Sequence, residues 1–507
     1  MLLSDSQKMR AADQTAIRGW GIPSTLLMRT AAEALAAEAL ERMGGGGSAV
    51  VFCGSGNNGG DGVAAAAWLL RHGCRVRALL TGRRESMTAD TREMERRLEE
   101  LGGRLEDFQE GDASQTEAAM GCDILIDAVF GIGLNRPVEG RAAAAIALMN
   151  ASPAPVVAAD IPSGVSADTG AILGQAVRAA VTVTFSMAKP GHFVEPGCTC
   201  CGQVKVADIG IPREVLESAG CGVRALLPGD VTLPRRAPLS HKGNYGKLLL
   251  LGGCVGYTGA PTLCARAAVR SGAGLVYLGV PESIYSITAV KNDEAMPFPL
   301  PGEEGGGVSF AAWEILRQRL EGCDVCAAGP GLGRGAGAGE LVRTLVRNSR
   351  KPLVLDADAL FALSRDMDCL KQAQAPVVLT PHEGEFLRMG GRLTGDRLSD
   401  ARGFAREYGC VLVLKGHRTL AAFPDGEVCI VHAGNPGMAK GGSGDVLTGI
   451  LAAMLGQLPL KEAVCAGIYL HGYAGDLAAE RWGEYAMTAG DVIETLPRAT
   501  KQLIQQE

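Results

Sequence analysis

Aromatic residues are scarce in this chain, and the signatures of several protein classes are missing. Only 5% of the 507 residues are Phe, Trp or Tyr. The sequence has no Lys/Arg-rich block, which argues against nucleic-acid binding, and no uncharged apolar run near the roughly 18 residues that span a bilayer. Residues 1–10 lack the cationic and then apolar segments of a secretory signal. We therefore expect a cytoplasmic protein without nucleic-acid or membrane partners.

The composition that is present fits an ordinary globular enzyme. Hydrophobic residues make up 47% of the chain and glycine occurs 70 times, so cores of Ala, Val and Leu with many tight turns are expected. The 15 cysteines are an odd number scattered through apolar segments, which is typical of reduced thiols. For Cys198, Cys200 and Cys201, and for the pair Cys323 and Cys326, packing is favoured over zinc because a structural zinc site takes four ligands.

Short apolar runs alternate with Ala-rich helical patterns along the whole chain. Examples of the runs are Val50 to Cys53, Ile124 to Val129 and Val411 to Leu414. Such alternation predicts parallel strands joined by helical crossovers. The pattern restarts after a proline-marked stretch, so we predict two doubly wound α/β domains, 1–224 and 225–507. The first is a Rossmann-like three-layer α/β/α domain, preceded by helical segments.

A glycine-rich turn follows the first predicted strand. It reads Gly54, Ser55, Gly56, Asn57, Asn58, Gly59, Gly60, Asp61, Gly62. It contains the GxGxxG spacing of dinucleotide sites, which is weak evidence alone. The Asn and Asp oxygens suit a cation better than a pyrophosphate.

Polar side chains also end two later strands of this half. Asp127 precedes a glycine turn at Gly131, and Asp160 precedes Ser163. Any one of these aspartates is better explained as a turn or helix cap. Because ligand sites in parallel sheets lie at the carboxyl ends of the strands, the combined set with Asn58 favours a site for a cation and a proton-transferring carboxylate.

Four motifs of the first half resemble the N-terminal domain of the bifunctional NAD(P)H-hydrate repair enzymes: GSGNNGGDG, IDAVFGIGL, AADIPSG and FSMAKPGH. That domain epimerises hydrated NAD(P)H at C6. The resemblance implies that Asp160 is the general acid/base and that K+ is held by Asn58, Asp127 and Ser163. It implies that the substrate is bound by Asn57, Asn58, Gly59, Gly60, Asp61, Gly131, Ile132, Gly133, Leu134, Asn135, Arg136, Pro137, Asp160 and Lys189. Ser55 departs from the family, which often has Pro there.

The strongest signal of the second half is a glycine turn that opens an Ala/Leu helix. It reads Gly441, Gly442, Ser443, Gly444, Asp445, and no Walker A pattern occurs anywhere. Amides at a helix start bind phosphate, and Asp445 would take a proton from an attacking hydroxyl. The alternative, a plain helix cap at Asp445, is less favoured because a carboxylate beside an anion site is costly unless the chemistry needs it.

The second half resembles the ribokinase-like superfamily, and more closely the ADP/ATP-dependent NAD(P)H-hydrate dehydratases, over about Leu226 to Pro497. The matched motifs are HKGNYGK, GYTGAP, AGPGLG, LDADAL, TPHEGE, KGHRT and GGSGDVLTG. The resemblance implies that Ala260, Gly331, His382 and Asp445 bind the hydrated nicotinamide. It implies that the nucleotide is bound by Lys415, Gly416, His417, Arg418, Thr419 and Gly444.

The fused order implies one function, the repair of nicotinamide nucleotides. The first domain would interconvert R- and S-NAD(P)HX, and the second would phosphorylate the S hydroxyl and eliminate phosphate, with Mg2+ and ADP and with Asp445 as base. We expect NADHX or NADPHX and ADP as the small-molecule partners, and a homo-oligomer. Two alternatives stay open: a small-molecule kinase with a regulatory first domain, and a first half that only binds a nucleotide or a partner.

Overall fold

The computed structural model describes residues 1–504, which form two compact units. One unit holds Leu2–Val223, and the other holds Met1 with the residues from Arg224 on. Among the described residues, no helix is both long and apolar enough to cross a membrane.

The first unit is built on a seven-stranded sheet whose pairings are all parallel. Its strands are β1 (Ser48–Cys53), β2 (Arg75–Leu80), β3 (Leu105–Asp107), β4 (Ile124–Ala128), β5 (Val156–Ala159), β6 (Val181–Phe185) and β7 (Gln203–Ala207). Its helices are α1 (Ser6–Gly19), α2 (Ser24–Arg42), α3 (Asn57–Arg71), α4 (Ala89–Glu100), α5 (Ala113–Gly121), α6 (Gly140–Ala151) and α7 (Arg213–Ser218). The alternation predicted from the sequence is confirmed.

The strand order of this sheet is β3-β2-β1-β4-β5-β6-β7, so the direction of winding reverses between β1 and β4. Loops that leave neighbouring strands on the two sides of such a reversal diverge and open a crevice. The glycine turn after β1 and the loops after β4 and β5 therefore meet at one place.

Alternate residues of β1 enter two separate cores. Val51 and Cys53 lie in an apolar cluster with α1, α2 and α3, whereas Val50 and Phe52 lie in another with α6. Successive strand residues point to opposite faces, so a strand covered by helices on both sides reads as one continuous apolar run. This accounts for the run in β1 and for three layers.

The second unit has a ten-stranded sheet in the order β11-β10-β9-β12-β13-β14-β15-β16-β17-β8. Its strands are β8 (Val223–Leu226), β9 (Lys247–Leu251), β10 (Leu275–Pro281), β11 (Met296–Leu300), β12 (Val325–Ala328), β13 (Leu353–Leu355), β14 (Val377–Leu379), β15 (Val411–Leu414), β16 (Leu420–Ala422) and β17 (Val428–Val431). Its helices are α8 (Gly259–Arg270), α9 (Glu282–Lys291), α10 (Trp313–Glu321), α11 (Ala336–Asn348), α12 (Asp358–Leu363), α13 (Glu383–Arg388), α14 (Arg397–Tyr408), α15 (Ser443–Leu455), α16 (Leu460–Ala486) and α17 (Ala489–Leu503).

Part of this second sheet is antiparallel, which the sequence did not predict. Strands β15, β16 and β17 form an antiparallel meander, while β9 to β15 pair in parallel. Strand β16 spans only three residues, too few to show a period along the sequence. The loop Lys415–Thr419 is consequently a hairpin connection that projects beyond the carboxyl end of β15.

Candidate functional site

A cavity of about 540 Å³ opens at the reversal point of the first sheet. It is bounded by the start of α3, by the loops after β4 and β5, and by one face of α1. Of the residues predicted to bind substrate, eight line it: Asn57, Asn58, Asp61, Gly131, Ile132, Gly133, Leu134 and Asp160, together with Lys189 as a ninth. The loops from three strands thus reach one cavity.

Asp160 forms a buried ion pair with Lys189. Lys189 Nζ lies 2.5 Å from Asp160 Oδ1 and 2.8 Å from the Thr184 hydroxyl, and the lysine side chain is only 1% exposed. Burial opposes ionisation of Asp160, but the charge and hydrogen bond of Lys189 outweigh it and hold the pKa of this carboxyl below its usual value. The cavity therefore contains a carboxylate that stays ionised.

The backbone of Asp160 is held in a strained conformation. Its φ is 65°, in the left-handed region that non-glycine residues rarely adopt, at a cost of order 1–3 kcal/mol. His192 Nε2 donates to the Asp160 carbonyl at 2.8 Å, and His192 Nδ1 accepts from the Lys189 backbone N–H at 3.0 Å. Burial lowers the pKa of His192 to about 4. A neutral imidazole is therefore hydrogen-bonded to the backbone of both residues of the ion pair.

Two further carboxyl groups in the cavity are shifted the opposite way. Burial raises the pKa of Asp13 to about 6, with Lys189 opposing the shift and Asp160 adding to it. Asp61 is buried, and burial followed by the charges of Asp160 and Asp13 raises its pKa well above the usual value. The cavity thus brings protonated and ionised carboxyl groups together, which is the arrangement that acid–base chemistry needs.

Beside the cavity lies a buried set of oxygen atoms. The Ser163 hydroxyl donates to Asp127 Oδ1 at 2.6 Å, and the Ser163 N–H donates to Oδ2 at 2.7 Å. The same hydroxyl accepts from the Phe130 N–H at 2.8 Å. Gly131 follows Phe130, and a Cβ added to Gly131 would lie 3.1 Å from Asn58 Oδ1. Burial raises the pKa of Asp127 to about 6. The three predicted cation ligands are therefore grouped around one loop.

Other predicted substrate residues in this unit lie outside the cavity wall. A Cβ on Gly59 would lie 1.8 Å from the Gly54 carbonyl oxygen, so Gly59 lets the start of α3 pack against the end of β1. Gly60, Asn135, Arg136 and Pro137 are also not among the residues that line the cavity. The sequence did not predict the contributions of Arg10 and Asp13 from α1.

In the second unit, the predicted glycine turn opens α15. Gly442 precedes the helix with φ 96°, a conformation that favours glycine, and Asp445 lies in the first turn. Burial raises the pKa of Asp445 to about 7; the charge of Asp356 adds to the shift and that of Lys415 opposes it. A carboxyl group that ionises near neutral pH beside free helix-start amides can act as a base next to a bound anion.

Lys415 joins this turn to the sheet. Its Nζ lies 2.8 Å from Asp356 Oδ1, and Asp356 Oδ2 accepts from the Thr448 hydroxyl at 2.9 Å. A Cβ on Gly444 would lie 3.3 Å from Lys415 Nζ, so the lysine amine is adjacent to the helix start. Burial disfavours the Asp356 carboxylate, but Lys415 outweighs it and lowers the pKa of Asp356. The ammonium group is thus fixed beside the start of α15.

The remaining predicted residues of the second unit lie on three segments. His382 pairs through its backbone with Lys415, and its Nδ1 accepts from the Gly384 N–H at 3.0 Å as the cap of α13. Gly331 has φ 61°, and a Cβ there would lie 3.3 Å from the Cβ of Ala260. Gly416, His417, Arg418 and Thr419 continue the hairpin loop that begins at Lys415.

Three more polar groups lie near this turn, and their roles were not predicted: Asp358 and Thr448 belong to the matched motifs, whereas His471 lies outside them. Asp358 accepts from the Gly333 N–H at 2.9 Å and, as an acidic neighbour, adds to the raised pKa of Asp445. His471 lies 3.0 Å from the Ser443 carbonyl oxygen, and burial lowers its pKa to about 4. Thr448 holds Asp356 from the second turn of α15. Only the folded chain brings these positions together.

The two halves match separate family models. Residues 24–191 match the model described as YjeF-related protein N-terminus, and residues 248–498 match the one described as NAD(P)H-hydrate dehydratase.

Relatives extend over nearly the whole chain. The bifunctional NAD(P)H-hydrate repair enzyme of Moorella thermoacetica is 42% identical, over 99% of this chain and 97% of its own. The enzyme of the same name from Thermofilum pendens is 37% identical, over 99% of this chain and 97% of its own. A solved structure of a ribokinase-like superfamily protein from Enterococcus faecalis is 29% identical, covers 56% of this chain and 98% of its own, and has a TM-score of 0.51. The predicted ribokinase-like fold of the second half is confirmed.

Proposed function

The chain belongs to the family of bifunctional NAD(P)H-hydrate repair enzymes, and from this premise we propose that it repairs hydrated NADH and NADPH. It epimerises R- and S-NAD(P)HX at C6 and dehydrates the S form at the expense of ADP, giving AMP and phosphate. The observation that carries the proposal is that each unit places one aspartate of fitting ionisation in its site: Asp160 directly after β5 in the first unit, and Asp445 in the first turn of α15 in the second. We assign the epimerase to residues 1–224 and the dehydratase to 225–507.

In the epimerase domain, Asp160 exchanges protons with the substrate. Its ionised carboxylate, held by Lys189, supports this role because a base must be unprotonated before it accepts a proton. The start of α3, Asn57 to Asp61, and the loop Gly131 to Pro137 bind the hydrated nicotinamide nucleotide. The cavity of about 540 Å³ at this edge has the size typical of small-molecule sites.

Potassium fits the oxygen set formed by Asn58, Asp127 and Ser163. Asp127 is fully buried, and its neighbours Ser163 and Val129 supply hydrogen bonds but no positive charge. Carboxylate, amide and hydroxyl oxygens suit a hard cation. A bound potassium ion would neutralise the Asp127 carboxylate and so fix the loop that carries Gly131.

We expect epimerisation to depend on potassium. Replacing K+ with tetramethylammonium should lower the epimerisation rate at least about tenfold, because Asp127 then lacks a counter-charge, and restoring K+ should reverse the loss. Asp127→Asn should weaken the apparent potassium affinity by about 10- to 100-fold. Potassium should also raise the unfolding temperature of the first unit, because it binds only the folded site. Dehydration of pure S-NADHX is the control, and an equal loss there would refute a site confined to the first unit.

In the dehydratase domain, Asp445 takes the proton of the S hydroxyl as the alcohol attacks the terminal phosphate of ADP. Lys415 and the amides that open α15 bind the transferring phosphoryl group; their adjacency at Gly444 supports this role. Lys415 to Thr419 and Gly444 bind the nucleotide, while Ala260, Gly331 and His382 bind the nicotinamide. Phosphate leaves more readily than hydroxide, so elimination restores the dihydronicotinamide ring.

Magnesium would enter this site with the nucleotide. Among residues 1–504, no group of three or more His, Cys, Asp or Glu residues is placed to hold a metal ion. Magnesium usually binds through substrate phosphates with one or two carboxylates, so the residues present fit such binding. The carboxylate of Glu383, in the TPHEGE motif, lies 3.1 Å from an Arg397 guanidinium nitrogen and is paired within the protein. The ion would neutralise phosphate charge.

One assay tests the whole proposal. Full-length protein is incubated with mixed R- and S-NADHX, ADP, Mg2+ and K+, and the absorbance of the reduced ring is followed. We expect complete recovery of NADH, with AMP and phosphate formed in equal amounts. A phosphorylated product that keeps its substituent would instead indicate a small-molecule kinase, and recovery of only half the mixture would indicate a first unit without epimerase activity. The assay repeated with ATP identifies the preferred donor.

Two further predictions concern the whole protein. We place it in the cytoplasm, where all 15 cysteines would remain the free thiols that the structure contains. We also propose that it forms a homo-oligomer, which light scattering of the purified chain would test.

A further inference from the structure

Helix α1 contributes one of its faces to the epimerase cavity. Met9, Arg10, Asp13 and Ile17 line the cavity, and Ala12 and Ala16 are buried in the core together with Met9. The spacing of three and four residues places each set on one side of a helix. An Arg10 guanidinium nitrogen would lie 3.3 Å from a Cβ on Gly133, so α1 reaches across to the predicted substrate loop.

Asp13 therefore faces the cavity from a different element than Asp160 does. Asp160 follows β5 at the sheet edge, while Asp13 belongs to a helix that precedes the first strand. The charges of Lys189 and Asp160 both act on Asp13, and Asp13 in turn acts on Asp61. Burial keeps Asp13 protonated up to a pH of about 6, the value of its pKa, whereas Asp160 is ionised in that range.

Building on the proposed epimerase function, we propose that Asp13 is the second acid–base group of the reaction, exchanging a proton on one face of C6 while Asp160 does so on the other. Inversion of an alcohol carbon requires a hydroxyl to leave one face and a water to add to the opposite face. A single carboxyl group cannot serve both faces of a ring held in one orientation. Two carboxyl groups with different pKa values, which lie on separate walls of one cavity, meet this requirement.

The step balances without any co-reactant. The Asp13 carboxyl gives its proton to the C6 hydroxyl, the C6–O bond breaks with its electrons leaving on water, and the ring nitrogen lone pair forms a C=N bond. A water adds to the other face and makes the new C6–O bond, the C=N electron pair returns to nitrogen, and Asp160 takes the released proton. Asp13 ends ionised and Asp160 protonated, so the reverse direction uses the same groups with exchanged roles.

The pH dependence follows from this exchange. Both directions use the form that carries one proton between Asp13 and Asp160, so kcat/KM for epimerisation should decline above a pH of about 6 in either direction. The charged groups that line the cavity with Asp13 are Asp160 and Lys189 after the strands, Asp61 on α3, Asp90 on α4 and Arg10 on its own helix. Burial, followed by the charges of Asp160 and Asp13, raises the pKa of Asp61 well above its usual value and so favours its neutral form.

The test is the pH profile of epimerisation in full-length variants, measured by the conversion of pure R-NADHX to S-NADHX. We expect Asp13→Asn to lower the rate about 100- to 10,000-fold, the usual contribution of a general acid, and to remove the alkaline limb near pH 6. Asp13→Glu, which restores a carboxyl group, should recover part of the rate together with the limb. Glu33→Gln, at an exposed position of α2, is the matched control and should leave the profile unchanged.

Three results would overturn this role of Asp13. The first is Asp13→Asn with wild-type rate, and the second is a lowered rate whose alkaline limb stays in place, as a purely structural effect would give. The third is a limb that disappears in Asp61→Asn but persists in Asp13→Asn. Asp160→Asn distinguishes this failure from failure of the proposed function: if it abolishes epimerisation, the epimerase stands without Asp13. If wild-type protein does not convert the epimers at all, the proposed function itself is wrong.

Discussion

Asp445→Asn is expected to lower ADP-dependent dehydration of S-NADHX about 100- to 10,000-fold, because the amide cannot accept the hydroxyl proton. The substitution keeps the size of the side chain, so the helix start and its amides stay in place. Nucleotide affinity, measured by calorimetry, should change only a few-fold. Epimerisation of R-NADHX by the first unit should be unaffected, which makes it the internal control.

The pH profile strengthens this test. A base must be ionised, and burial with the charge of Asp356 raises the pKa of Asp445 to about 7, so wild-type kcat/KM should rise with pH through about 7. The residual rate of Asp445→Asn should lose that rise. A variant that keeps both the rate and its pH dependence would show that the proton goes elsewhere. Asp356 is an unfavourable substitute because Lys415 and Thr448 already occupy its two oxygens.

The variant should not lose stability. The Asp445 carboxyl is half-buried near two like charges, Asp356 and Asp358, which the charge of Lys415 only partly offsets, and it forms no ion pair among the described residues. Removing one of several crowded acidic groups relieves repulsion, so the unfolding temperature of the second unit should stay level or rise. Loss of activity with retained stability is the signature expected of a strained active-site group.

The sequence predicted well those features that depend on local order along the chain. Each strand that ends in a glycine turn carried its polar side chains to the sheet edge, because parallel strands share one carboxyl edge. Asn58, Asp127 and Ser163 lie on three such segments and are grouped around one loop in the structure. The reversal of winding between β1 and β4 explains why these segments meet.

Features that depend on tertiary packing were not accessible to the same reasoning. The apolar period of α1 identifies its core face, with Met9 and Ala12, but does not say that the adjacent face closes a cavity. Asp356 and Thr448 are 92 positions apart, and nothing local indicates their hydrogen bond. The meander after β15 was missed because its strands are too short for a period to show.

Strained backbone conformations occur at or beside the aspartates that make such long-range contacts. Asp160 and Ala357, the residue after Asp356, both have positive φ values, 65° and 49°. Non-glycine residues persist in this region only where surrounding contacts over-determine the conformation. In each unit, a lysine holds the aspartate concerned: Lys189 in the first and Lys415 in the second. Each unit therefore pairs a buried carboxylate with a lysine beside a strained backbone position, and the carboxylate held in this way in the second unit is Asp356, the neighbour of the proposed base Asp445.

The substitution Lys189→Met measures how strongly the Lys189–Asp160 ion pair stabilises the first unit. The lysine ammonium is bound by Asp160, by the Thr184 hydroxyl and by the Phe185 carbonyl, and its side chain is almost completely buried. Methionine fills similar space without the charge, so the Asp160 carboxylate is left buried with Asp13 and Asp61 as neighbours. Breaking a buried pair in this way costs about 3–5 kcal/mol. We expect the unfolding temperature of the first unit to fall clearly and epimerisation to drop at least about 100-fold.

The pH dependence of the stability loss identifies its cause. In the wild type, the lowered pKa of Asp160 contributes stability that is present above the unfolded value of about 4 and is lost as pH falls. In Lys189→Met the pKa of Asp160 is instead raised above the unfolded value, so stability decreases as pH rises through about 4 and beyond. The deficit of the variant should therefore be small in acid and largest at neutral pH. The double variant Lys189→Met/Asp160→Asn, which has no unpaired charge, should regain much of the stability without regaining epimerisation. Lys205→Met, which breaks the partly exposed pair with Glu38, should cost no more than about 1 kcal/mol, and an equal effect of the two single variants would contradict the argument.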